Sequence, residues 1–261
     1  MKVFTGILSF IYKLYVGAIF VATLVLFYPF LFIVLLKKSW RKHSFPINIV
    51  WSHTVRLLTF VQVYKVHKAE IPKGPYMIIA NHTSYFDIFL LYSLLPNHRF
   101  LFMGKSEILS YPLVKTYFKR LNIPVYRKDR LKAAKAFIQA KQCVAEGWSV
   151  VIFPEGGIPD HSPEMIPFKI GAFKLAKNAG VPIVPITFID NYHLFSDPED
   201  LLGPAHPGIS RVHIHPVISA EEVARLSEQE LSDRTFALIS APLIARGIMK
   251  KPENLPAEDR L

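Results

Sequence analysis

The chain has 261 residues, enough for one sizeable α/β domain or two small ones. Hydrophobic residues make up 51% of it, and its single cysteine, Cys143, excludes a disulfide framework and a multi-cysteine metal site. We expect this cysteine to be a small buried apolar residue. The formal net charge is +11 at pH 7, and its distribution along the chain decides which partners it suits.

Uncompensated positive charge is concentrated at the N-terminus. No acidic residue precedes Glu70. The nine basic residues in that segment are Lys2, Lys13, Lys37, Lys38, Arg41, Lys42, Arg56, Lys65 and Lys68. The 192 residues from Glu70 onward hold 22 basic and 20 acidic residues, so the rest of the chain is nearly neutral. Because a nucleic-acid-binding protein carries its excess on the folded domain, we expect an anionic lipid surface and not nucleic acid as the partner.

Residues 14–36 form a charge-free, almost wholly apolar stretch. As a helix it would be about 35 Å long, enough to cross a hydrocarbon core of roughly 30 Å. The run is longer than the apolar region of a signal peptide and lacks a following cleavage site. Pro29 permits a kink, so a bent helix lying in one leaflet is the alternative to a spanning one. If the helix spans, the basic residues after it predict a cytoplasmic location for the rest of the chain.

The remaining chain divides into a second anchor element, an α/β domain and a tail. Residues 47–66 are apolar with scattered His and Arg, which predicts a second helix lying against the membrane or the domain. We therefore assign residues 1–70 to a membrane-embedded helical anchor, 71–249 to the domain and 250–261 to a polar tail. The domain alternates predicted strands at 76–80, 99–103, 123–126, 149–153, 183–188 and 212–217 with helices at 85–95, 111–121, 130–146, 168–178 and 231–249. This alternation predicts a mixed sheet covered by helices.

Two ionisable residues follow the predicted strand at 76–80. In the run NHTSYFD, His82 and Asp87 are five residues apart. Five residues on an ideal helix differ by about 140°, so the two side chains cannot share one helix face. They can meet if His82 lies in the turn after the strand and Asp87 in the first helical turn. A carboxylate on one imidazole nitrogen and a substrate hydroxyl on the other is an arrangement that activates a nucleophile near neutral pH.

The same run also has a purely structural interpretation. Ser84 and Asp87 have the spacing of a capping box, in which the carboxylate only stabilises the start of a helix. A metal-binding role for His82 is not supported, because His67 and His98 do not lie at ligand spacing from it. We expect no metal site.

Three later segments carry further candidate features. In FPEGG, residues 153–157, proline and glycine form a tight turn that can face a ligand, with Glu155 at a strand end; an ordinary turn with a solvated glutamate is the alternative. In IPVYR, Arg127 ends a predicted strand and suits either a phosphate ligand or the protein surface. The segment VPIVPITF, residues 181–188, is most simply a core strand.

In this order, NHTSYFD, PVYR, FPEGG and VPIVPITF resemble the four sequence blocks of the glycerolipid acyltransferase family, which includes 1-acylglycerol-3-phosphate acyltransferases. The resemblance covers residues 76–188, and the basic apolar N-terminus fits it too. It implies an enzyme that moves a fatty acyl group from acyl-CoA or acyl carrier protein to the hydroxyl of a lysolipid. With 1-acylglycerol-3-phosphate as acceptor the product is phosphatidic acid. No cofactor is implied beyond the acyl donor, which is itself a substrate.

The resemblance also implies roles for individual residues. His82 is the general base that deprotonates the acceptor hydroxyl, and Asp87 orients it. The hydroxyl attacks the thioester directly, so no acyl-enzyme is implied. Arg127 matches the basic residue of the second block, which helps to hold the acceptor phosphate. Glu155 and Gly156 match the third block, which lines the acceptor site.

The third block departs from the family pattern. The family typically continues as Glu-Gly-Thr-Arg-Ser, whereas Ile158 stands here in place of the arginine and cannot bind phosphate. Lys169 in PFKIGAF is the candidate substitute, and Lys105 in GKSE lies where the family often has a basic residue. The alternative is an acceptor without phosphate, such as a lyso-aminolipid, whose hydroxyl His82 would still activate.

Other classes of function have less support in the sequence. No G-x-S-x-G, G-x-G-x-x-G or P-loop pattern occurs, so hydrolase, dinucleotide and nucleotide chemistry have no motif. The non-enzymatic alternative is a membrane-surface binding protein with an inert domain, although such a domain would not need both His82 and Asp87. The expected partners are a lysolipid acceptor, acyl-CoA or acyl carrier protein, and anionic membrane lipids.

Overall fold

The computed structural model describes residues 2–250, so nearly all of the predicted polar tail lies outside the described residues. The strands are β1 (Val61–Lys68), β2 (Met77–Ala80), β3 (Phe100–Lys105), β4 (Ile123–Val125), β5 (Ser149–Ile152), β6 (Ile183–Phe188) and β7 (Gly208–Ile214). The helices are α1 (Lys2–Val34), α2 (Ser44–Leu58), α3 (Phe86–Leu94), α4 (Pro112–Leu121), α5 (Arg130–Ala145), α6 (Gly171–Ala179), α7 (Asn191–Leu194), α8 (Ala220–Arg225) and α9 (Glu228–Ala245). Two 3₁₀ turns span Lys38–His43 and Ser106–Ser110.

The seven strands form one mixed sheet in the order β1-β7-β6-β2-β5-β3-β4. Neighbouring strands run parallel except β6 and β7, which are antiparallel. β2 lies at the centre between β5 and β6, and all four of its residues are buried. Its carboxyl end therefore meets the carboxyl end of β5, where α/β sheets usually bind their ligands. The mixed sheet covered by helices confirms the predicted fold class.

Helices cover both faces of the sheet and create two separate cores. On one face α5, α6 and α9 pack around Phe173, Leu231 and Ile239. On the other face α3, with α1 and α2 outside it, packs around Leu90 and Phe188. α1 and α2 thus lie on the opposite side of the sheet from α5.

The apolar N-terminal helix packs against the domain along its length. It is a 33-residue helix, about 50 Å long at 1.5 Å per residue. Near its start Gly6 faces Leu202, and near its end the Phe32 ring lies 5.0 Å from the Arg120 guanidinium. Between them Trp51 Nε1 of α2 donates to Thr23 Oγ1 over 3.0 Å. The outward side of the helix exposes large apolar side chains, which include Phe4, Ile7, Leu8, Ile11, Leu14, Val21, Val25, Leu26, Phe30 and Ile33.

The prediction of a single helix over residues 47–66 was wrong in its second half. α2 ends at Leu58, and Phe60 adopts a positive φ of 55°, which a helix does not accommodate. The following run VQVYKVHK, rich in β-branched residues, forms β1 and pairs in parallel with β7. The predicted anchor segment 1–70 therefore includes an edge strand of the sheet.

Two of the N-terminal basic residues do not face a lipid surface as predicted. Lys13 is buried, and its ammonium donates to Ser196 Oγ over 2.7 Å. Arg41 is also buried, with its guanidinium 4.9 Å from the Trp148 ring and 3.6 Å from Cys143 Sγ. Both cations are held by the folded domain because hydroxyl, carbonyl, sulfur and aromatic groups surround them.

Candidate active site

Two loops meet at the carboxyl ends of the central strands. β2 and β5 are paired from Met77↔Val150 to Ile79↔Ile152, so the segments that follow them leave the sheet side by side. The loop after β2 is fixed by Asn81, which exchanges two hydrogen bonds with the backbone of Phe188 on β6, at 2.8 and 2.9 Å. This fixed loop carries His82.

His82 and Asp87 form a hydrogen-bonded pair. His82 lies in the loop after β2 and Asp87 in the first turn of α3, which is the placement that the five-residue spacing requires. The distance from His82 Nδ1 to Asp87 Oδ2 is 2.9 Å, and the Asp87 side chain is fully buried while His82 keeps 12% of its side-chain surface exposed. Because a carboxylate only accepts hydrogen bonds, Nδ1 carries the proton and Nε2 has its lone pair available.

The Asp87 carboxylate is held by groups other than His82. Its Oδ2 accepts from the backbone amides of Thr83 at 2.8 Å and Ser84 at 2.9 Å. Its Oδ1 accepts from Asn191 Nδ2 at 2.6 Å. These donors fix the position of the carboxylate against the imidazole.

The predicted Ser84–Asp87 capping box does not form, because α3 begins at Phe86 after Tyr85 and no side-chain hydrogen bond caps it. The Asp87 carboxylate instead ties the loop after β2 to the imidazole.

The loop after β5 supports the His82 ring and backbone. The Phe153 ring stacks on the imidazole with centroids 4.1 Å apart and an angle of 16° between the planes. Glu155 is only 2% exposed, and its Oε1 accepts from the His82 backbone amide over 2.8 Å. Its Oε2 accepts from the amide of Ile166 over 3.4 Å. The Glu155 side chain thus lies beneath His82 and not on the open face of the site.

Burial changes the acidity of this glutamate. Desolvation raises the pKa of Glu155 to about 8, although the hydrogen bonds from the amides of His82 and Ile166 oppose the shift. The nearby Asp87 adds a smaller increase. Near neutral pH the carboxyl is therefore largely protonated, and it still offers an oxygen to the His82 amide.

Three cations surround the turn that follows Glu155. The Arg127 guanidinium donates to the Gly156 carbonyl. A Cβ added at Gly156 would lie 2.7 Å from Lys169 Nζ, and a Cβ at Gly157 would overlap the ammonium of Lys105. Gly156 has φ +89°, a conformation that favours glycine. The structure thus brings together all the cations that the sequence assigned to the acceptor site.

The electrostatics of this cluster favour an anion. Desolvation lowers the pKa of Lys169, and the positive charges of Arg127 and Lys105 lower it further. Desolvation also lowers the pKa of Arg127, opposed by the carboxylate of Glu107. Like charges held this close repel one another, so a bound anion such as a phosphate stabilises them.

Sequence reasoning missed two residues that shape the site. Phe153 was part of the FPEGG motif, but a phenylalanine at a strand end gives no sign that it stacks on a histidine. Asn191 follows β6 and lies 104 residues from Asp87 in the chain. A single sequence carries no signal for such a contact, because it depends on the order of strands in the sheet.

Known proteins resemble this chain in sequence and fold. The family model described as Acyltransferase matches residues 62–189, a range that contains every candidate site residue. The chain is 29% identical over 188 residues to a 1-acyl-sn-glycerol-3-phosphate acyltransferase of Chlamydomonas reinhardtii, covering 72% of this chain and 54% of that protein. It is 28% identical over 207 residues to a chloroplastic 1-acyl-sn-glycerol-3-phosphate acyltransferase of Brassica napus, covering 76% and 57%.

A solved structure shares the fold. The crystal structure of the 1-acyl-sn-glycerophosphate acyltransferase PlsC from Thermotoga maritima superposes with a TM-score of 0.75 at 23% identity, covering 97% of this chain and all of that one. The chain spans little more than half the length of the two curated relatives above. With the four sequence blocks assembled around one site and the family model matched across them, the chain belongs to the glycerolipid acyltransferase family.

Proposed function

We propose that this protein transfers a fatty acyl group from a thioester to the free hydroxyl of 1-acylglycerol-3-phosphate and so makes phosphatidic acid. The observation that carries the proposal is the 2.9 Å hydrogen bond between His82 Nδ1 and the buried carboxylate of Asp87. This pair leaves Nε2 as the proton acceptor for a hydroxyl. The names of the curated relatives support the same acceptor.

The reaction follows from the geometry of the pair. His82 Nε2 removes the proton of the acceptor hydroxyl as its oxygen attacks the thioester carbonyl. Asp87 stabilises the imidazolium that forms, and it keeps the ring in the correct tautomer. When the carbon–sulfur bond breaks, the imidazolium returns its proton to the departing thiolate. The new ester bond forms in this single displacement sequence, without a covalent intermediate on the protein.

The cation cluster supports an acceptor that carries a phosphate. Ile158 removes the family's arginine, but Lys105, Arg127 and Lys169 already converge on the Gly156–Gly157 turn. A phosphate-free lyso-aminolipid would bring no phosphate to these three cations, and Glu107 is the one carboxylate found to act on Arg127 among the described residues. We therefore assign the phosphate of the acceptor to this cluster, next to the hydroxyl that His82 activates.

The remaining partners follow from the reaction. The acyl donor is a thioester of coenzyme A or of acyl carrier protein, and no metal or other cofactor takes part. Anionic membrane lipids surround the basic N-terminal region, and nucleic acid is not a partner. Attraction of the basic N-terminal region to the anionic lipids of the cytoplasmic leaflet supports a domain that faces the cytoplasm.

The membrane contact is best explained by a helix that lies within one leaflet. α1 is the one helix among the described residues that is long and apolar enough to cross a bilayer. One side of it, however, is occupied by contacts with the domain from Gly6 to Phe32, and Lys13 is buried against the loop at 196–200. A spanning orientation would break these contacts. Its apolar outward side suits the boundary between headgroups and acyl chains.

The experiment is an acyl-transfer assay on membranes that contain the wild-type protein or His82→Ala. Lysophosphatidic acid and a phosphate-free lysolipid are supplied with a labelled acyl-CoA or acyl carrier thioester. We expect His82→Ala to lower kcat by about 100-fold to 10,000-fold, the range of general-base catalysis, without changing membrane association. His161→Ala is the matched control, because His161 is exposed on the surface loop after FPEGG.

The acceptor is tested in the same assay with Arg127→Ala. If the cluster binds phosphate, this variant raises the KM for lysophosphatidic acid more than it lowers kcat. Normal turnover by His82→Ala would reject the assignment of the base. Preference of the wild type for the phosphate-free acceptor would reject phosphatidic acid as the product while leaving the acyl transfer intact.

A further inference from the structure

The outer surface of α5 carries more positive charge than the acidic residues beside it balance. The helix contains four basic residues and no acidic one, and its exposed cations are Arg130, Lys132, Lys135 and Lys141. Two acidic residues flank the helix, and both are engaged: Asp129 pairs with Lys132, and Glu146 pairs with Lys38. Within residues 2–250, Arg130, Lys135 and Lys141 enter no ion pair.

Large apolar side chains lie among these cations. Leu131 is 78% exposed and Ile138 is 69% exposed, which are high values for large apolar residues in the described chain. Leu131, Lys135 and Ile138 follow one another at i, i+4 and i+7, so they form one line along the outward side of the helix. We name this surface the α5 stripe; it consists of Arg130, Leu131, Lys135, Ile138 and Lys141.

The α5 stripe does not face the membrane. α1 and α2 cover the sheet face that carries α3, whereas α5 packs with α6 and α9 on the opposite face. The C-terminal end of α5 contacts the segment between α1 and α2, where Glu146 pairs with Lys38 and Arg41 lies 3.6 Å from Cys143. With the outward side of α1 in lipid, the outward side of α5 before this contact is directed to the aqueous phase. Its partner is therefore soluble, and charge complementarity requires that partner to be acidic.

The stripe leads to the active site. α5 begins three residues after Arg127, whose guanidinium contacts the Gly156 carbonyl beside His82 and Glu155. From Arg130 to Lys141 the stripe is about 16 Å long at 1.5 Å per residue. A surface of this length, with apolar residues between separated cations, matches the footprint of a folded protein better than that of the compact phosphates of a nucleotide.

On these observations we propose that the α5 stripe is the docking surface for an acidic acyl carrier protein, which delivers the acyl thioester to His82 from the aqueous side of the sheet. The inference rests on the proposed acyl transfer and names its donor. Acidic side chains of the carrier contact Arg130, Lys135 and Lys141, and its apolar side chains cover Leu131 and Ile138. Charged residues at the edge of an interface, as these would be, chiefly raise the rate of association and make that rate sensitive to salt.

The test compares two donors that carry the same acyl chain. We expect Lys135→Glu combined with Lys141→Glu to raise the KM for the acyl carrier thioester at least tenfold, and to change the KM for acyl-CoA less than twofold. Lys174→Glu combined with Arg225→Glu is the matched control, because it makes the same charge change at exposed residues on α6 and α8. Both donors are assayed with the same acceptor at low and high salt.

Direct titration of the carrier protein onto the purified protein accompanies the assay. The proposal is supported if the wild type binds the carrier in a saturable, salt-sensitive way and if Lys135→Glu combined with Lys141→Glu abolishes this binding. Three results would each overturn the proposal. The α5 variant could raise the KM for both donors equally, the two double variants could have equal effects, or the wild type could fail to bind the carrier. If the wild type still transfers the acyl group from acyl-CoA in such a case, the proposed function stands and only the docking proposal fails. Failure of the docking proposal and failure of the proposed function are therefore distinguishable.

Discussion

Asn191 donates a hydrogen bond from Nδ2 to Oδ1 of Asp87 over 2.6 Å, although 104 residues separate the two in the chain. Its own Oδ1 accepts from Ser210 Oγ on β7, so the amide is fixed from both sides. The other carboxylate oxygen of Asp87 is occupied by His82 and two backbone amides. Asn191 is therefore a positioning residue that acts on His82 through Asp87.

Asn191→Ala should lower kcat by about 10-fold to 100-fold and leave the acceptor KM nearly unchanged. The reason is that a hydrogen bond to a buried charged group contributes about 1.5–3 kcal/mol, and in the proposed mechanism this bond orients His82 and does not bind the acceptor. Steady-state kinetics on purified protein measure the effect. Asn178→Ala on the exposed side of α6 is the control, and a rise in KM with unchanged kcat would contradict the positioning role.

Asn191→Asp gives a second, pH-dependent signature. The new carboxylate would repel Asp87 when both are ionised, but in its protonated form it can donate a hydrogen bond to Oδ1. The activity of this variant relative to wild type should therefore increase as the pH is lowered from 8 to 6. A ratio that stays constant across this range would indicate a merely structural loss.

Gly157 controls the position of Lys105. A side chain at residue 157 would occupy the space of the Lys105 ammonium, and a lysine end can move aside with little cost to the fold. Gly157→Thr should therefore raise the KM for lysophosphatidic acid about tenfold with little effect on kcat, because one cation leaves the cluster that we propose binds the phosphate. Kinetics with lysophosphatidic acid and with a phosphate-free lysolipid separate this effect from general damage.

A double-mutant cycle tests the cause of that change. If Gly157→Thr acts only by displacing Lys105, it should change the KM less than twofold in a Lys105→Ala background. Additive effects of the two substitutions would show that residue 157 acts independently of the lysine.

The local parts of the fold could be predicted from the sequence, and the long-range parts could not. Each strand predicted after Pro72 is present, because short apolar runs bounded by turn residues have few alternatives. β1 was missed because VQVYKVHK follows an apolar helix without an obvious break. Only its pairing with β7, 147 residues further on at Val61↔Gly208, makes it a strand.

The candidate site shows the same division. The His82–Asp87 spacing allowed a contact between residues close together in the chain, and the structure has it. The role of Glu155 beneath the His82 backbone depends on the pairing of β2 with β5, which the motif does not reveal. Likewise, Lys13 was counted as a membrane-flanking charge because its partner, Ser196, lies 183 residues away.

The stability of the protein should depend on pH through Glu155. Burial raises its pKa in the folded chain to about 8 from the ordinary glutamate value of 4.5. Between these values the folded state binds more protons than the unfolded state, so unfolding releases a proton and the free energy of unfolding falls as the pH rises. Glu155→Gln removes this contribution, since the amide does not ionise.

The measurement is the melting temperature in one detergent from pH 5 to pH 9. The wild type should lose stability relative to Glu155→Gln as the pH rises from 5 to 8, with no further divergence above that. Glu164→Gln, at an exposed residue of the same loop, should follow the wild type. Parallel curves for wild type and Glu155→Gln would contradict a raised pKa at this site.

The orientation of α1 can be tested with a disulfide between the helix and the domain. A Cβ at Gly6 would lie 3.5 Å from the Cβ of Leu202, at the short end of the range for disulfide-bonded cysteines. Gly6→Cys with Leu202→Cys should therefore cross-link under mild oxidation in native membranes, and the product should keep its acyl-transfer activity. Each single variant is a control, and the native Cys143 is buried and does not compete. If α1 instead crosses the bilayer, its N-terminal end lies on the far side from Leu202. The double variant would then remain reduced at oxidant concentrations that cross-link a neighbouring pair within the domain.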